Sequence, residues 1–149
     1  MNDFSLSFTV PGKPVGKGRP RFSNGRAYTD QKTKEYEEEI AWRFMTARRS
    51  KMLRPETWET VRLAPVAITI TAFYPVPKSD SKKTRAEKLE NYIRPTVKPD
   101  VDNVAKAILD GLNGLAYKDD AQVFQLVIMK RFAENPRVDV AIVYDRCIP

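Results

Sequence analysis

The chain contains no histidine. That absence removes Ser-His-Asp triads, Cys-His nucleophile pairs, histidine-ligated zinc and histidine-based nucleases together. Acid–base or metal chemistry must therefore run on carboxylates, lysine, tyrosine or water. Cysteine is almost as scarce: Cys147 stands alone, so no intrachain disulfide can form, which suits a reducing cytoplasm. No apolar run approaches the roughly 18 residues needed to cross a bilayer. The opening MNDFSLSFTV lacks the basic region and apolar core of a secretory signal. The expectation is a cytoplasmic protein without a membrane partner.

What is present describes a folded, basic domain. A length of 149 residues, 42% of them hydrophobic and 30% charged, is enough for one domain with a real core. The net charge of +7 points to a polyanionic partner, and nucleic acid is the usual one. Residues 4–10 alternate apolar and hydroxyl side chains, the period of a half-buried strand. The next segment, PGKPVGKGRPRFSNGRAYTD, holds three prolines and four glycines and reads as a loop. A helix is predicted over 33–52, with Tyr36, Ile40, Phe44 and Ala47 as its apolar stripe. Residues 66–74 (VAITITAFY) form a second strand. Thr84 and Glu87 have capping-box spacing and suggest a short helix over 84–92. A further helix is expected over 103–112, then strands 123–129 and 138–144 joined as a hairpin through ENPR. The order β-α-β-(α)-α-β-β makes this an α+β fold, a single domain over 1–149 with one mixed sheet and packed helices.

The stretch KPDVDNVAKAILDGLNGLAYKDDAQV runs against the overall charge. It gathers Asp100, Asp102, Asp110, Asp119 and Asp120 in a basic chain. Two carboxylates about 5 Å apart repel by roughly 3 kcal/mol at an effective dielectric near 20. A bound cation, raised pKa values or solvation must offset that. With the helix starting after Asp102, Asp100 and Asp102 would lie on extended backbone, where side chains two apart point the same way. Asp102 could instead cap the helix. Lys106 and Asp110 follow at four-residue steps. They read either as a surface ladder worth about 0.3–0.5 kcal/mol per pair or, for Lys106, as a cation reaching a phosphate. Asp119 and Asp120 read as turn residues unless the helix folds back on the sheet. In that case the clustered acids make a hard oxygen cage for Mg²⁺ or Mn²⁺.

PDVDNVAKAILDGLNG followed by DDAQV resembles the signature of the RusA family of Holliday-junction resolvases, and GKPVGKGRPRF is similar to its phage and prophage branch. The resemblance implies a RusA-like fold. It further implies that Asp100, Asp102 and Asp120 are the catalytic, metal-binding acids, with Asp119 beside them and Lys106 as the essential lysine. A Mg²⁺-dependent endodeoxyribonuclease follows, with Mn²⁺ as a substitute. The family acts as a symmetric homodimer on four-way junctions in DNA recombination and repair. The founding branch carries an arginine-rich run before its first catalytic acid. Here only Lys98-Pro99 occupies that place, and the basic residues lie upstream.

The expected DNA-binding residues are Lys13, Lys17, Arg19 and Arg21 in the glycine loop, then Lys82, Lys83 and Arg85, and Lys98 beside the acids. Phe22 and Tyr28 flank the first loop and are read as core anchors or as stacking groups at a junction centre. Three other readings stand beside the resolvase: a nuclease for flaps or other branched DNA, a branched-DNA-binding protein whose aspartates are only caps and turns, and a small-molecule phosphatase, which would leave the basic loops without a purpose.

Overall fold

The computed structural model describes residues 1–18 and 21–149. The alternating stretch near the N-terminus forms β1 (Asn2–Pro11), with Leu6, Phe8 and Val10 buried and the hydroxyl residues between them exposed. The basic segment, expected to be loop throughout, contains a small hairpin of β2 (Arg21–Ser23) and β3 (Arg26–Tyr28). Its turn is Asn24-Gly25, both at positive φ (50° and 75°), the pair that two-residue hairpins favour. Arg19 lies outside the described residues.

The first long helix, α1 (Gln31–Ser50), is capped by Asp30, whose carboxylate accepts from the Thr33 amide at 2.7 Å. It buries Tyr36, Ile40 and Phe44 as its periodicity requires. A second helix, α2 (Pro55–Val61), was not expected. It opens with Pro at its first turn and buries Trp58 and Val61, so its signal lay in the Pro placement. After β4 (Val66–Pro75) comes α3 (Lys82–Leu89), capped by Ser81 and not by Thr84, because Ser81 Oγ accepts from the Thr84 amide. Then follow α4 (Val101–Leu112), a 3₁₀ turn (Asp120–Gln122), β5 (Val123–Ala133) and β6 (Arg137–Ile148).

The main sheet runs β1-β6-β4-β5, with β4 parallel to β5 and the other pairs antiparallel. The architecture is a single α+β domain with a mixed sheet, as the pattern suggested. The hairpin through ENPR is not formed, however. β4 lies between β5 and β6, since its Val66, Ile68, Ile70, Ala72 and Tyr74 are almost wholly buried and belong at the centre. The link ends toward β1, where the Gly12 amide donates to the Pro136 carbonyl at 3.1 Å. β5 takes the edge, with Phe124, Leu126, Val127 and Met129 exposed.

Helices cover one face of this sheet, and side chains such as Thr9, Thr69 and Asp139 occupy the other. Phe8, Phe44, Trp58 and Tyr144 form an aromatic chain between sheet and helices, edge-to-face at Phe8–Phe44 and Trp58–Tyr144 and tilted at Phe44–Trp58. α4 packs closely on α1: a Cβ placed on Gly111 would sit 3.0 Å from two carbons of Ile40 and 3.2 Å from a third. Gly111→Ala would gain about 1 kcal/mol of helix propensity against about 1–3 kcal/mol of overpacking. Overpacking wins here, because Ile40 is fully buried and β-branched on a long helix. The expected net loss is about 1 kcal/mol, seen as a melting temperature lower by about 2–4 °C. Adding Ile40→Val should recover part of it, and a melting temperature raised by Gly111→Ala alone would refute the close packing.

Candidate active site

The acid-rich stretch places its residues through the start of α4 and the turn before β5. Asp100 is the N-cap of α4, on extended backbone at φ −70° and ψ 157°, and the helix begins at once with Val101. This corrects the expected start after Asp102. Asp is itself a favoured capping residue, and the proline before it restricts Lys98, not Asp100. The Asp100 carboxylate nevertheless makes no capping hydrogen bond, and Asp102 is not a cap at all. Asp102 sits in the first turn, where its charge complements the helix dipole.

The two side chains line neighbouring hollows. Asp100 opens onto a pocket of about 390 Å³ between the glycine loop, the start of α1 and Lys98. Asp102 instead lines a groove of about 440 Å³ between α4 and β5, together with Lys106, Asp110 and Asp120. The floor of this groove is apolar, built from Ala105, Leu109, Leu126 and Ile128. The α4 helix thus does fold back so that the turn before β5 meets its acidic face.

Hydrogen bonds hold both ends of this arrangement. Tyr74 Oη donates to the Pro99 carbonyl at 2.5 Å, fixing the chain just before Asp100. Burial first, then the nearby charge of Asp100, pushes the Tyr74 pKa up to about 12, so the phenol keeps its proton. The glycine loop is pressed onto the first turn of α4. A Cβ on Gly16 would come within 2.8 Å of Pro99 Cβ, and the Lys17 amide donates to the Asn103 carbonyl at 2.9 Å. At the other end, Gln122 pins the turn. Its amide group donates to the carbonyls of Arg62 and Ala64, both at 2.9 Å, and its carbonyl accepts from the amides of Lys118 and Asp119.

Asp119 caps the 3₁₀ turn, accepting from the Ala121 amide at 2.9 Å, which leaves Asp120 to face the groove. The pKa of Asp120 lies above the ordinary aspartate value. A hydrogen bond shared with Asp119 is the largest cause, followed by partial desolvation and the negative charges of Asp119 and Asp110, while Lys106 acts in the opposite direction.

Asp110 is the residue the sequence undervalued. It accepts from Lys17 at 3.1 Å and lies 3.6 Å from Lys106 on the same carboxylate oxygen. Its four-residue steps from Asp102 through Lys106 were the available signal, since they place all three on one helix face. Lys17 was expected to meet DNA. Its ammonium instead turns inward between Glu37 of α1 and Asp110 of α4. Burial opposes its charge, but the hydrogen bonds and charges of Glu37 and Asp110 prevail and raise its pKa. Arg85 pairs with Glu134 at 3.1 Å. Lys13, Lys82, Lys83 and Lys98 are exposed and form no ion pair among the described residues. Phe22 is 76% exposed, so it is not a core anchor.

A family model described as Endodeoxyribonuclease RusA matches residues 11–143. The chain belongs to the RusA family. It is also similar to the uncharacterized protein YqaN of Bacillus subtilis (strain 168), with 41% identity over 143 residues, covering 92% of this chain and 94% of that protein. RusA membership brings an expectation of endodeoxyribonuclease chemistry with a divalent cation. The donor types fit such an ion, because hard carboxylate oxygens suit Mg²⁺. Asp102 and Asp120 line one groove, and a cation there would relieve the repulsion between their carboxylates. Among the described residues no three acids are close enough to form a ready-made cage.

Two predictions follow from this geometry. Gln122→Leu leaves two carbonyls and two amides without their partner and should cost about 2–4 kcal/mol by chemical denaturation; a loss below about 0.5 kcal/mol would show that water replaces the side chain. In metal-free protein, the Asp120 carboxyl should titrate by carbon NMR above the ordinary aspartate value, and Asp119→Asn should lower its midpoint. Because the folded state holds this proton more tightly, stability should fall as pH rises from the unfolded pKa through the raised one. An Asp120 midpoint at or below the ordinary value would contradict the shared hydrogen bond.

Proposed function

We propose that the protein is a metal-dependent endodeoxyribonuclease that resolves four-way DNA junctions by paired, symmetric phosphodiester cleavage, serving recombination and repair. One observation carries this reading: Asp102, Lys106, Asp110 and Asp120 line a single groove in a chain of net charge +7. The chain-wide match to the RusA family supports it.

In this reading Asp102 and Asp120, from α4 and from the turn before β5, hold Mg²⁺ or its substitute Mn²⁺, with Asp100 as the third acid and Asp119 adjoining. Bound there, such an ion would supply activation of water and stabilisation of the leaving oxygen. Lys106, whose side chain is 63% exposed, reaches the phosphate and offsets its developing charge. Lys98 stands next to the acids and, with Lys13, Lys82 and Lys83, holds the flanking phosphates. Arg85 serves the same end from the pair it makes with Glu134. The backbone places Arg21 at the head of the β2–β3 hairpin, beside Phe22, whose exposed ring is available to stack on an unpaired base. A homodimer meets the need for two incisions related by a two-fold axis.

Asp102→Asn should lower cleavage of a synthetic four-way junction by about 10³-fold or more in Mg²⁺, while junction binding in EDTA is retained or tightened, since one anion no longer repels phosphate. Symmetric nicks in wild type, absent from linear and flap controls, are the expected pattern. Tight junction binding without cuts under Mg²⁺ or Mn²⁺ would overturn the nuclease reading and favour a branched-DNA-binding protein.

A further inference from the structure

Lys17 lies in a stretch whose composition suggests phosphate binding, yet its surroundings are those of an interior group. Its side chain is 14% exposed, and its ammonium meets Glu37 of α1 and Asp110 of α4. Its own backbone amide donates to the Asn103 carbonyl in the first turn of α4. The preceding Gly16 lies against Pro99 and Asn103 so closely that no side chain fits there. One residue therefore ties the glycine loop, the long helix and the acid-bearing helix together.

The same oxygen of Asp110 faces two ammonium groups, Lys17 at 3.1 Å and Lys106 at 3.6 Å. Their exposure differs sharply: 14% for Lys17 against 63% for Lys106. Lys17 cannot leave without exposing two part-buried carboxylates to each other, whereas Lys106 can swing into the groove at little cost. A carboxylate already satisfied by one cation also holds a second one weakly, because its charge is neutralised.

We propose that Lys17 is a positioning residue and not a DNA contact: it acts as an internal counter-ion that satisfies Asp110 and thereby leaves Lys106 free to serve the phosphate. This rests on the nuclease reading for its catalytic consequence only. Its structural half, that Lys17 makes no phosphate contact, stands apart from any cleavage. Without Lys17, Asp110 draws Lys106 onto itself and out of the groove, and the loop loosens from α4. Removing the Asp110 charge as well should then release Lys106 again.

The test compares wild type with Lys17→Met, Lys17→Arg, Asp110→Asn and the Lys17→Met/Asp110→Asn double variant, using the full chain and a synthetic four-way junction. In EDTA, the salt dependence of junction binding should be the same for Lys17→Met as for wild type. A phosphate contact would instead lower the slope of log K against log salt by about 0.9. In Mg²⁺, Lys17→Met should lower kcat by about 10- to 100-fold, the scale of a misplaced catalytic group, with KM unchanged. Lys17→Arg should restore part of the rate, and so should the double variant, in which no anion sequesters Lys106. A reduced salt slope for Lys17→Met, or a double variant slower than Lys17→Met alone, overturns the proposal. Should Lys17→Met fail to fold, the salt slope of the double variant decides, since it too lacks the Lys17 charge: an unchanged slope supports the counter-ion role, and a slope lowered by about 0.9 overturns it. If wild type binds the junction without cutting it, the nuclease reading fails, and the salt slope alone still decides whether Lys17 touches phosphate.

Discussion

The acid groove depends on how the start of α4 is held. An N-terminal helical turn has free amides and no intrahelical anchor, so its direction is set by what grips it from outside. Here the grip is the Tyr74 hydroxyl on the Pro99 carbonyl, the Lys17 amide on the Asn103 carbonyl and the side-chain-free contact of Gly16. Tyr74 comes from the central strand and Gly16 from the glycine loop, so the sheet and the loop fix the helix jointly. From that anchored start, helical spacing alone carries Asp102, Lys106 and Asp110 down one face toward β5. A shift of the first turn would move all three together.

The second anchor is electrostatic and works against the first tendency of the site. Acids brought together repel, and the fold answers each one differently. Asp110 is neutralised by lysines, and Asp119 spends an oxygen on a backbone amide. Asp120 is left with a raised pKa, next to the exposed Asp102. The unanswered charge therefore lies at the groove, where a cation would be most welcome. The same fold leaves Lys13, Lys82, Lys83 and Lys98 exposed. Charge is thus sorted by depth: internal cations serve internal acids, and surface cations remain available to a polyanion.

Much of this was legible in the sequence because strong periodicities survive tertiary context. The strands at β1 and β4 and the buried stripe of α1 follow from alternation and from the spacing of Tyr36, Ile40 and Phe44. What was not legible depended on partners distant in the chain. β5 and β6 are joined by a short link, yet neither pairs with the other, because β4 competes for the central place with a more thoroughly buried face. The start of α4 at Val101 was not legible because a proline restricts only the residue before it and leaves Asp100 free to cap. Lys17 looked like a surface cation since nothing in its neighbourhood names Glu37 or Asp110 as partners. Gln122, by contrast, stands three residues after Asp119, the spacing of a capping box, and that local signal was there to be read.

The place of β6 has a consequence for how the protein comes into being. Among the described residues this strand, the latest to leave the ribosome, lies between β1 and β4 and supplies the only strand partner of β1. Until it arrives, β1 has nothing to pair with and β4 has one side open, so the sheet that seats α1 and α4 cannot close. Synthesis from the N-terminus therefore yields no partly built sheet with a working groove. A nascent chain halted before Arg137 stays without its central scaffold, and the acids are brought to order only once the whole domain has been made.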